Sequence, residues 1–343
     1  MIPRILPRPL AAALGLFASL LSVPAAHAVI HDLYVCAAYN NGSRVMGSKD
    51  GSANGVFKLM PGGFEHIGIN YPLTISATFD PRDPDVFYVA CLSGVLRTLD
   101  GGKTWRLVTG WDETEPKSIA VDSRHSEIVY TGLPDGIVVS RDRGQTWTRS
   151  EKGLPERGKY TQVVQADRHR GGRVLIGCES GIYLTEDGAK SWKRVLATTD
   201  TVNDIQQSPH HPKWWVAVTQ SAGALESTDG GASWKPIKGV PSDKALYNVA
   251  FAAREPLRLA IASWSHGVLV TEDGGKTWAP RNAGLPSSGH VWRTAIDPDS
   301  RFLYVAIFGQ GLYASKDFGL TWRAAGMEGA SVQTFTFVPR TGK

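Results

Sequence analysis

Six aspartates recur in near-identical eight-residue segments and are the first candidates for chemistry in this chain. They lie in TLDGGKTW, SRDRGQTW, TEDGAKSW, STDGGASW, TEDGGKTW and SKDFGLTW, as Asp100, Asp142, Asp187, Asp229, Asp273 and Asp317. A carboxylate can bind calcium, but calcium takes about six to eight oxygen ligands, far more than one conserved turn position supplies. The carboxylate can instead accept hydrogen bonds from turn amides and a nearby hydroxyl. We therefore predict structural turns, with no metal and no cofactor.

Each segment ends in a tryptophan, which extends the structural interpretation. A glycine in most copies permits a positive φ in the turn, and the tryptophan that follows can bury its rings between neighbouring sheets. Six of the eleven tryptophans occupy this position: Trp105, Trp147, Trp192, Trp234, Trp278 and Trp322.

The spacing of the six segments defines a repeat of 42 to 45 residues. Within residues 117–149 the runs KSIAVD, EIVYTGL, IVVSRD and WTR, separated by turns, have the pattern of four short antiparallel strands. Four strands in about 40–45 residues is typical of a propeller blade. A degraded seventh copy aligns Gly55-Val56-Phe57 with the other units and places Phe64 near the tryptophan position.

The two ends of the chain predict how the ring closes. SVQTFTFVPRTGK at the C-terminus matches the first strand of a unit, whereas VIHDLYVCAAYNNG near the N-terminus matches the second. One blade shared by both ends would remove open sheet edges. We therefore predict an all-β, seven-bladed β-propeller over residues 29–343, with four-stranded blades and the aspartate turn between the third and fourth strand.

The pattern Ser/Thr-x-Asp-x-Gly/Ala-x-Thr/Ser-Trp resembles the Asp-box, or BNR, repeat of sialidases, sortilin-type receptors, xyloglucanases and photosystem II assembly factors. In repeat type, seven-fold count and size the chain is most similar to the single-propeller photosystem II stability/assembly factors. That resemblance implies a scaffold that holds partner proteins. The Arg-Ile-Pro motif of sialidases is absent after residue 28, and xyloglucanases normally join two such propellers. Carbohydrate binding, or glycoside hydrolysis of the BNR-repeat type, remains the alternative.

The first 28 residues predict export. Arg4 and Arg8 precede an apolar run from Leu10 to Leu21, and Ala26-His27-Ala28 resembles a cleavage site, which together indicate a secretory signal. We expect a periplasmic or secreted protein without a membrane span after that segment. Its removal leaves 37 − 2 = 35 basic against 32 acidic residues, so the charge gives no case for nucleic acid.

Three cysteines form an odd set for an oxidising compartment. Cys36, Cys91 and Cys178 all lie in apolar, strand-like runs, and free cysteine is commonly buried. We predict three buried side chains, and a Cys36–Cys91 bridge remains open.

Recognition is predicted on the face opposite the aspartate turns. With strands A to D numbered outward, the D–A and B–C loops share that face, which we term the rim. Blades five to seven carry the richest mixture of aromatic and hydrogen-bonding groups there, which suits a sugar ring or a peptide, although Trp264 and Trp292 could simply pack across neighbouring strands. The candidate binding residues are Trp264, His266, Tyr247, Asn248, Trp292, Arg293, Phe308 and Lys117.

A hydrolase would instead need two facing carboxylates about 5–10 Å apart. The rim offers several acids from which the sequence selects no pair: Asp112, Glu115, Asp135, Glu179 and Asp204. Trp111 and its acidic neighbours are interpreted as a solvated loop.

Overall fold

The computed structural model describes residues 30–39, 54–71, 73–287 and 289–340. These residues form 28 strands in seven four-stranded antiparallel sheets, and no helix occurs among them. The predicted seven-bladed propeller is confirmed. The signal segment and the box-like Ser48-Lys49-Asp50-Gly51 lie outside the described residues.

The blades follow one another along the chain. Blade 1 contains β1 (His31–Tyr39), β2 (Asn54–Met60), β3 (Gly63–Ile67) and β28 (Ala330–Pro339). Blade 2 contains β4 (Thr74–Asp80), β5 (Asp83–Cys91), β6 (Gly94–Thr98) and β7 (Arg106–Leu107). Blade 3 contains β8 (Ser118–Val121), β9 (Val129–Leu133), β10 (Gly136–Ser140) and β11 (Thr148–Arg149). Blade 4 contains β12 (Thr161–Ala166), β13 (Val174–Cys178), β14 (Gly181–Thr185) and β15 (Lys193–Ala197).

The remaining three blades repeat the same order. Blade 5 contains β16 (Val202–Gln207), β17 (Trp215–Thr219), β18 (Ala224–Ser227) and β19 (Lys235–Pro236). Blade 6 contains β20 (Leu246–Phe251), β21 (Leu259–Ser263), β22 (Gly267–Thr271) and β23 (Ala279–Pro280). Blade 7 contains β24 (Val291–Ile296), β25 (Leu303–Ile307), β26 (Gly311–Ser315) and β27 (Arg323–Ala324).

Blade 1 closes the ring with both ends of the chain, as predicted. Its innermost strand, β28, pairs antiparallel with β1 from His31↔Pro339 to Tyr39↔Ala330. The innermost strands of successive blades contact one another around the axis, and β28 contacts β4 of blade 2. The C-terminal strand thus pairs with β1 and contacts the inner strands β4 and β24 of the blades on both sides, so it acts as the latch of the ring.

The core lies between the blades rather than within one layer. All five residues of β9, β13, β17, β21 and β25 are buried, because each of these second strands is covered by a blade on either face. Strands buried on both faces favour continuous apolar runs over alternation. Cys36, Cys91 and Cys178 are buried free thiols in this core, which confirms their predicted burial.

The six aspartate turns share one set of hydrogen bonds. At Asp100, Oδ1 accepts from the hydroxyl of Thr98 at 2.8 Å and from the backbone N–H of Thr104 at 2.9 Å, while Oδ2 accepts from the Thr104 hydroxyl at 2.6 Å. The same three contacts recur in the other five turns.

These hydrogen bonds stabilise the ionised carboxylate and lower the pKa of all six aspartates to about 2. At Asp142 and Asp187 partial burial is the largest influence and raises the pKa, but the hydrogen bonds together outweigh it.

Five of the six box tryptophans fall into two groups by their hydrogen bonds, whereas the indole N–H of Trp147 is buried without a partner among the described residues. Trp105, Trp234 and Trp278 donate their indole N–H to a glycine carbonyl in their own turn. Trp192 and Trp322 instead donate to carbonyls of the preceding blade, at 2.8 Å and 2.9 Å. A second short repeat, Gly-Leu-Pro at residues 153–155 and 284–286, brings Leu154 and Leu285 against these two indoles.

Candidate functional site

Each innermost strand is interrupted at the same place by one extra residue. In six blades the pairing between the first and second strands skips Ile75, Gln162, Asn203, Tyr247, Trp292 and Gln333. In blade 3 the equivalent Lys117 donates its N–H to the carbonyl of Gly132, the residue that pairs with Ser118. A β-bulge re-aims the side chain that it carries. The seven residues therefore form a ring, which we term the bulge ring, at the rim end of the inner strands.

A central channel of about 570 Å³ runs inside the seven inner strands. Six members of the bulge ring line it, and Trp292 is the exception. Below the ring the lining residues are mainly alanine, valine, threonine and phenylalanine, with Gln165 and Gln206 also present. The rim mouth of the channel thus combines amide, ammonium and phenol groups on a rigid backbone.

Five rings from blades 6 and 7 form one connected group beside this mouth, which we term the aromatic cluster. Its members are Tyr247, Trp264, His290, Trp292 and Phe308. Trp264 stacks on His290 with centroids 4.2 Å apart, and Tyr247 lies 4.4 Å from Trp292. Further contacts of 5.4 to 5.9 Å join Trp264 to Phe308, Tyr247 and Trp292. The two candidate tryptophans therefore do pack against neighbouring strands, as one alternative held.

The aromatic cluster nevertheless keeps a solvent-facing side. Phe308 is 43% exposed and His290 is exposed, while the other three rings are half-buried. The His290 ring is oriented by the Trp264 carbonyl, 3.0 Å from Nδ1. Large aromatic rings that are held rigid yet partly open to water are typical anchors of binding surfaces.

Four of the candidate residues lie outside the aromatic cluster, namely His266, Lys117, Asn248 and Arg293. The His266 ring faces Asp243, with Nε2 3.1 Å from Oδ1, and makes no ring contact with the aromatic cluster among the described residues. Lys117 lies elsewhere on the bulge ring, where its ammonium is 3.4 Å from Glu115 and sits over the ring of Tyr160. His290, one residue before β24, supplies the imidazole ring of the aromatic cluster.

Asn248 is brought to the channel but is engaged with the next blade. Its amide donates to the Thr294 carbonyl at 2.8 Å, and its oxygen accepts the Thr294 N–H at 2.9 Å. The side chain thereby mimics a strand pairing between blades 6 and 7. Asn248 positions the two blades that carry the aromatic cluster.

Asp204 and Arg293 bring opposite charges to the channel wall without forming an ion pair. Asp204 accepts hydrogen bonds from the N–H groups of Ile205 and Val249, at 2.9 and 3.0 Å, and burial raises the pKa of its carboxyl. Arg293 donates Nε–H to the Gln333 carbonyl at 2.7 Å and stacks on Trp292, with 4.5 Å between the guanidinium carbon and the ring centroid. Desolvation lowers the pKa of Arg293 to about 10, although Asp204 opposes this.

The rim acids considered for hydrolysis have varied surroundings. Asp204 is only 8% exposed, with its oxygens occupied as above, and Asp135 and Glu115 pair with Arg149 and Lys117, respectively.

Within the described part of the chain, no three His, Cys, Asp or Glu side chains gather as a metal-binding group. Among the described residues, no helix is long and apolar enough to span a membrane.

One further aromatic residue is conspicuous on the rim. Trp111, in the loop between blades 2 and 3, is 95% exposed, the highest exposure of any large apolar side chain among the described residues. The loop is held by backbone and side-chain hydrogen bonds, including Glu115 N–H to Leu92 O at 2.9 Å and Gly110 N–H to Glu113 Oε2 at 2.9 Å.

Comparison with protein families gives one match. The family model described as photosynthesis system II assembly factor YCF48 matches residues 69–210, and the predicted resemblance to that type of propeller is confirmed. A comparison with curated proteins finds no match.

Several solved structures share the fold. The GH74 enzyme of Niastella koreensis is 15% identical, with a TM-score of 0.65 over 78% of this chain and 50% of the enzyme. The GH74 xyloglucanase from Xanthomonas campestris is 18% identical, with a TM-score of 0.64 over 89% and 55%. A structure of YCF48 bound to D1 peptide is 18% identical, with a TM-score of 0.56 over 74% and 82%. This chain spans about half the length of the GH74 enzymes it matches, and at these identities the likeness shows the fold alone.

Proposed function

We propose that this protein is an exported, non-catalytic propeller scaffold that binds a partner protein of the cell envelope through its rim. The observation that carries the proposal is the aromatic cluster, five contacting rings with Phe308 43% exposed at the open end. The signal pattern at residues 1–28 supports export. The family match and the peptide-bound YCF48 structure support a protein partner.

The surface chemistry fits a protein segment. Binding energy at protein interfaces concentrates in a few rigid aromatic and arginine residues near the centre of the contact. Here Trp264 and Trp292 are fixed by neighbouring rings, so they lose little conformational entropy when a partner covers them. The seven blades supply a backbone that does not need to rearrange.

The test is photo-crosslinking with the full chain in its native host. A benzophenone amino acid replaces Phe308 in one variant and Leu320 in a matched control, because Leu320 is 62% exposed but lies in a box turn on the opposite face. We expect a discrete crosslinked protein from position 308, none from 320, and loss of the crosslink when Trp264→Ala is added. A crosslink of equal yield from both positions, or none from 308, would contradict the proposal.

A carbohydrate ligand is the second candidate, favoured by one observation. Trp264 and His290 stack with an interplanar angle of 9°, so they present parallel flat faces of the kind on which sugar rings pack. Titration with xyloglucan oligosaccharides, followed by tryptophan fluorescence, decides between the two ligands. Saturable binding that Trp264→Ala abolishes, without product release, would favour a carbohydrate-binding protein, and product release would favour a hydrolase.

A further inference from the structure

Arg293 is a desolvated cation to which the described residues supply no carboxylate at ion-pair distance. Its Nε donates to the Gln333 carbonyl at 2.7 Å and its Nη1 to the Trp292 carbonyl at 3.0 Å, so the plane of the guanidinium is fixed. Both acceptors are neutral. Arg173, which is 8% exposed, shows the contrast, because its Nη1 lies 3.2 Å from the buried carboxylate of Asp167.

Asp204 does not serve as the missing counter-ion. Its Oδ1 accepts from the Ile205 N–H and the Gln206 amide, and its Oδ2 accepts from the Val249 N–H at 3.0 Å. It attracts Arg293 only at longer range. Arg293 is half-buried, and a partly desolvated charge is costly unless a partner satisfies it, so its free guanidinium N–H groups favour the binding of an anion.

Two neighbouring polar groups on the channel wall also have hydrogen-bonding capacity that the described residues do not use. The Tyr247 hydroxyl has no hydrogen-bond partner among the described residues, and the charge of Arg293 acts on it, opposing the burial that raises the pKa of the phenol. Gln333 accepts the Trp292 indole N–H at 3.1 Å, which leaves its amide N–H₂ without an acceptor in the described structure. All three side chains line the channel at its rim mouth.

We infer that the rim mouth of the channel binds a carboxylate, held by the guanidinium of Arg293 with the Tyr247 hydroxyl and the Gln333 amide as further donors. A planar guanidinium matches the two oxygens of a carboxylate in a bidentate arrangement. The site offers one positive charge with an acid nearby, which suits a monoanion. The adjacent aromatic cluster would cover an apolar group next to the carboxylate.

This inference goes beyond the partner-binding proposal, because a small free carboxylate and the C-terminal carboxylate of a peptide would occupy the same place. The probes distinguish the two sources. Phenylpropanoate and acetyl-Ala-Ala-Phe carry the carboxylate, and phenylpropanamide and acetyl-Ala-Ala-Phe-amide are their neutral counterparts. Binding is measured on the full chain by calorimetry.

We expect at least one acid to bind about tenfold more tightly than its amide, which corresponds to about 1.4 kcal/mol, because only the carboxylate can accept charge-assisted hydrogen bonds from the guanidinium. A preference limited to the peptide acid identifies a chain terminus as the source, and one limited to phenylpropanoate identifies a free carboxylate. Equal binding of acid and amide in both pairs, or no binding of any probe at millimolar concentration, would overturn the inference.

Two arginine variants place the site within the channel. Arg293→Met should remove the preference for the acid. Arg168→Met is the matched control, since Arg168 lines the channel at the end of β12 nearest the A–B turns and no described side chain or carbonyl fixes its guanidinium. Loss of the preference in Arg168→Met with retention in Arg293→Met would reject the assigned site. If Arg293→Met fails to fold, Arg293→Lys, which keeps the charge but loses the planar pair of donors, should reduce the preference at unchanged Tm.

A failure here is distinguishable from a failure of the partner proposal. Crosslinking from position 308 depends on the aromatic cluster, so it can persist in Arg293→Met even when all four carboxylate and amide probes bind alike.

Discussion

The box face and the rim of the propeller differ in which structural features recur from blade to blade. On the box face, six turns repeat both the backbone and the side chains, and each aspartate makes the same hydrogen bonds within its own blade. On the rim, only the backbone bulge repeats, and its side chain is an isoleucine, a lysine, an asparagine, two glutamines, a tyrosine or a tryptophan. A repeated device that carries varied side chains is what recognition on a symmetric scaffold requires.

This contrast separates stability from binding. The box face should govern the folding free energy and its dependence on pH, whereas changes on the rim should affect ligands more than the fold.

Acid should produce the largest effect, because all six box carboxylates act together. Their pKa is about 2 in the folded protein against 3.8 as the ordinary value, so the stabilisation is complete above about pH 4 and is lost as the pH falls towards 2. Unfolding in this interval should take up as many as six protons at the boxes, visible as a steep fall of the free energy of unfolding with falling pH in urea titrations.

The control for this prediction removes one box acid. Asp273→Asn should lower the proton uptake in the same interval by about one. An unaltered slope in Asp273→Asn would show that the boxes do not set the acid stability, and the division between the faces would weaken.

Trp192→Ala should give the largest loss from a single substitution. Trp192 is 5% exposed, packs between blades 3 and 4, and donates its indole N–H to the Ser150 carbonyl at 2.8 Å. Truncating a buried aromatic side chain costs about 3–5 kcal/mol, measurable by urea denaturation. Trp264→Ala, on the half-buried rim, is the matched comparison and should cost clearly less. Equal losses would contradict a binding role for the rim tryptophan.

Asn248→Ala tests a rim residue that the structure assigns to positioning. Its two hydrogen bonds to Thr294 join blades 6 and 7, so the variant should lose about 1–3 kcal/mol of stability because two buried backbone groups lose their partner. Asn248→Asp keeps the acceptor but not the donor, so its stability should lie between that of the unmodified protein and that of Asn248→Ala. If Asn248→Ala weakens ligand binding at unchanged Tm, then Asn248 belongs to the binding surface after all.

The difference between the faces also explains what the sequence could reveal. The box turns are local, since the acceptor and its donors lie within six residues, and so the fold, the latch and the blade count follow from the repeat. The bulge positions could be aligned from sequence, but a bulge depends on pairing between strands and leaves no mark in the residues that carry it. The Gly-Leu-Pro repeat was visible and marks the two loops that cover Trp192 and Trp322.

The rim residues proposed for binding were harder to assess from the sequence because their environment is set by long-range contacts. His266 and His290 look equivalent along the chain, yet only His290 stacks on Trp264. Arg293 and Arg173 are both arginines on strands or at their ends, but only the fold shows that Arg173 has a carboxylate partner and that Arg293 has none at ion-pair distance among the described residues. Burial and partnership, rather than residue type, distinguish them.

The smallest effect on stability is expected at Trp111. The indole is 95% exposed and its loop is held by hydrogen bonds of Glu113 and Glu115, so Trp111→Ala should change the free energy of unfolding by no more than about 0.5 kcal/mol. If the partner spans the rim, however, the same variant should weaken the crosslink from position 308, because an indole left fully in water gains the most when it is covered.

Leu99→Ala, at a 54% exposed leucine in a box turn, is the control and should alter neither the free energy of unfolding nor the crosslink. A crosslink unchanged by Trp111→Ala would confine recognition to blades 6 and 7, and one reduced equally by Leu99→Ala would show that the box face also takes part in recognition.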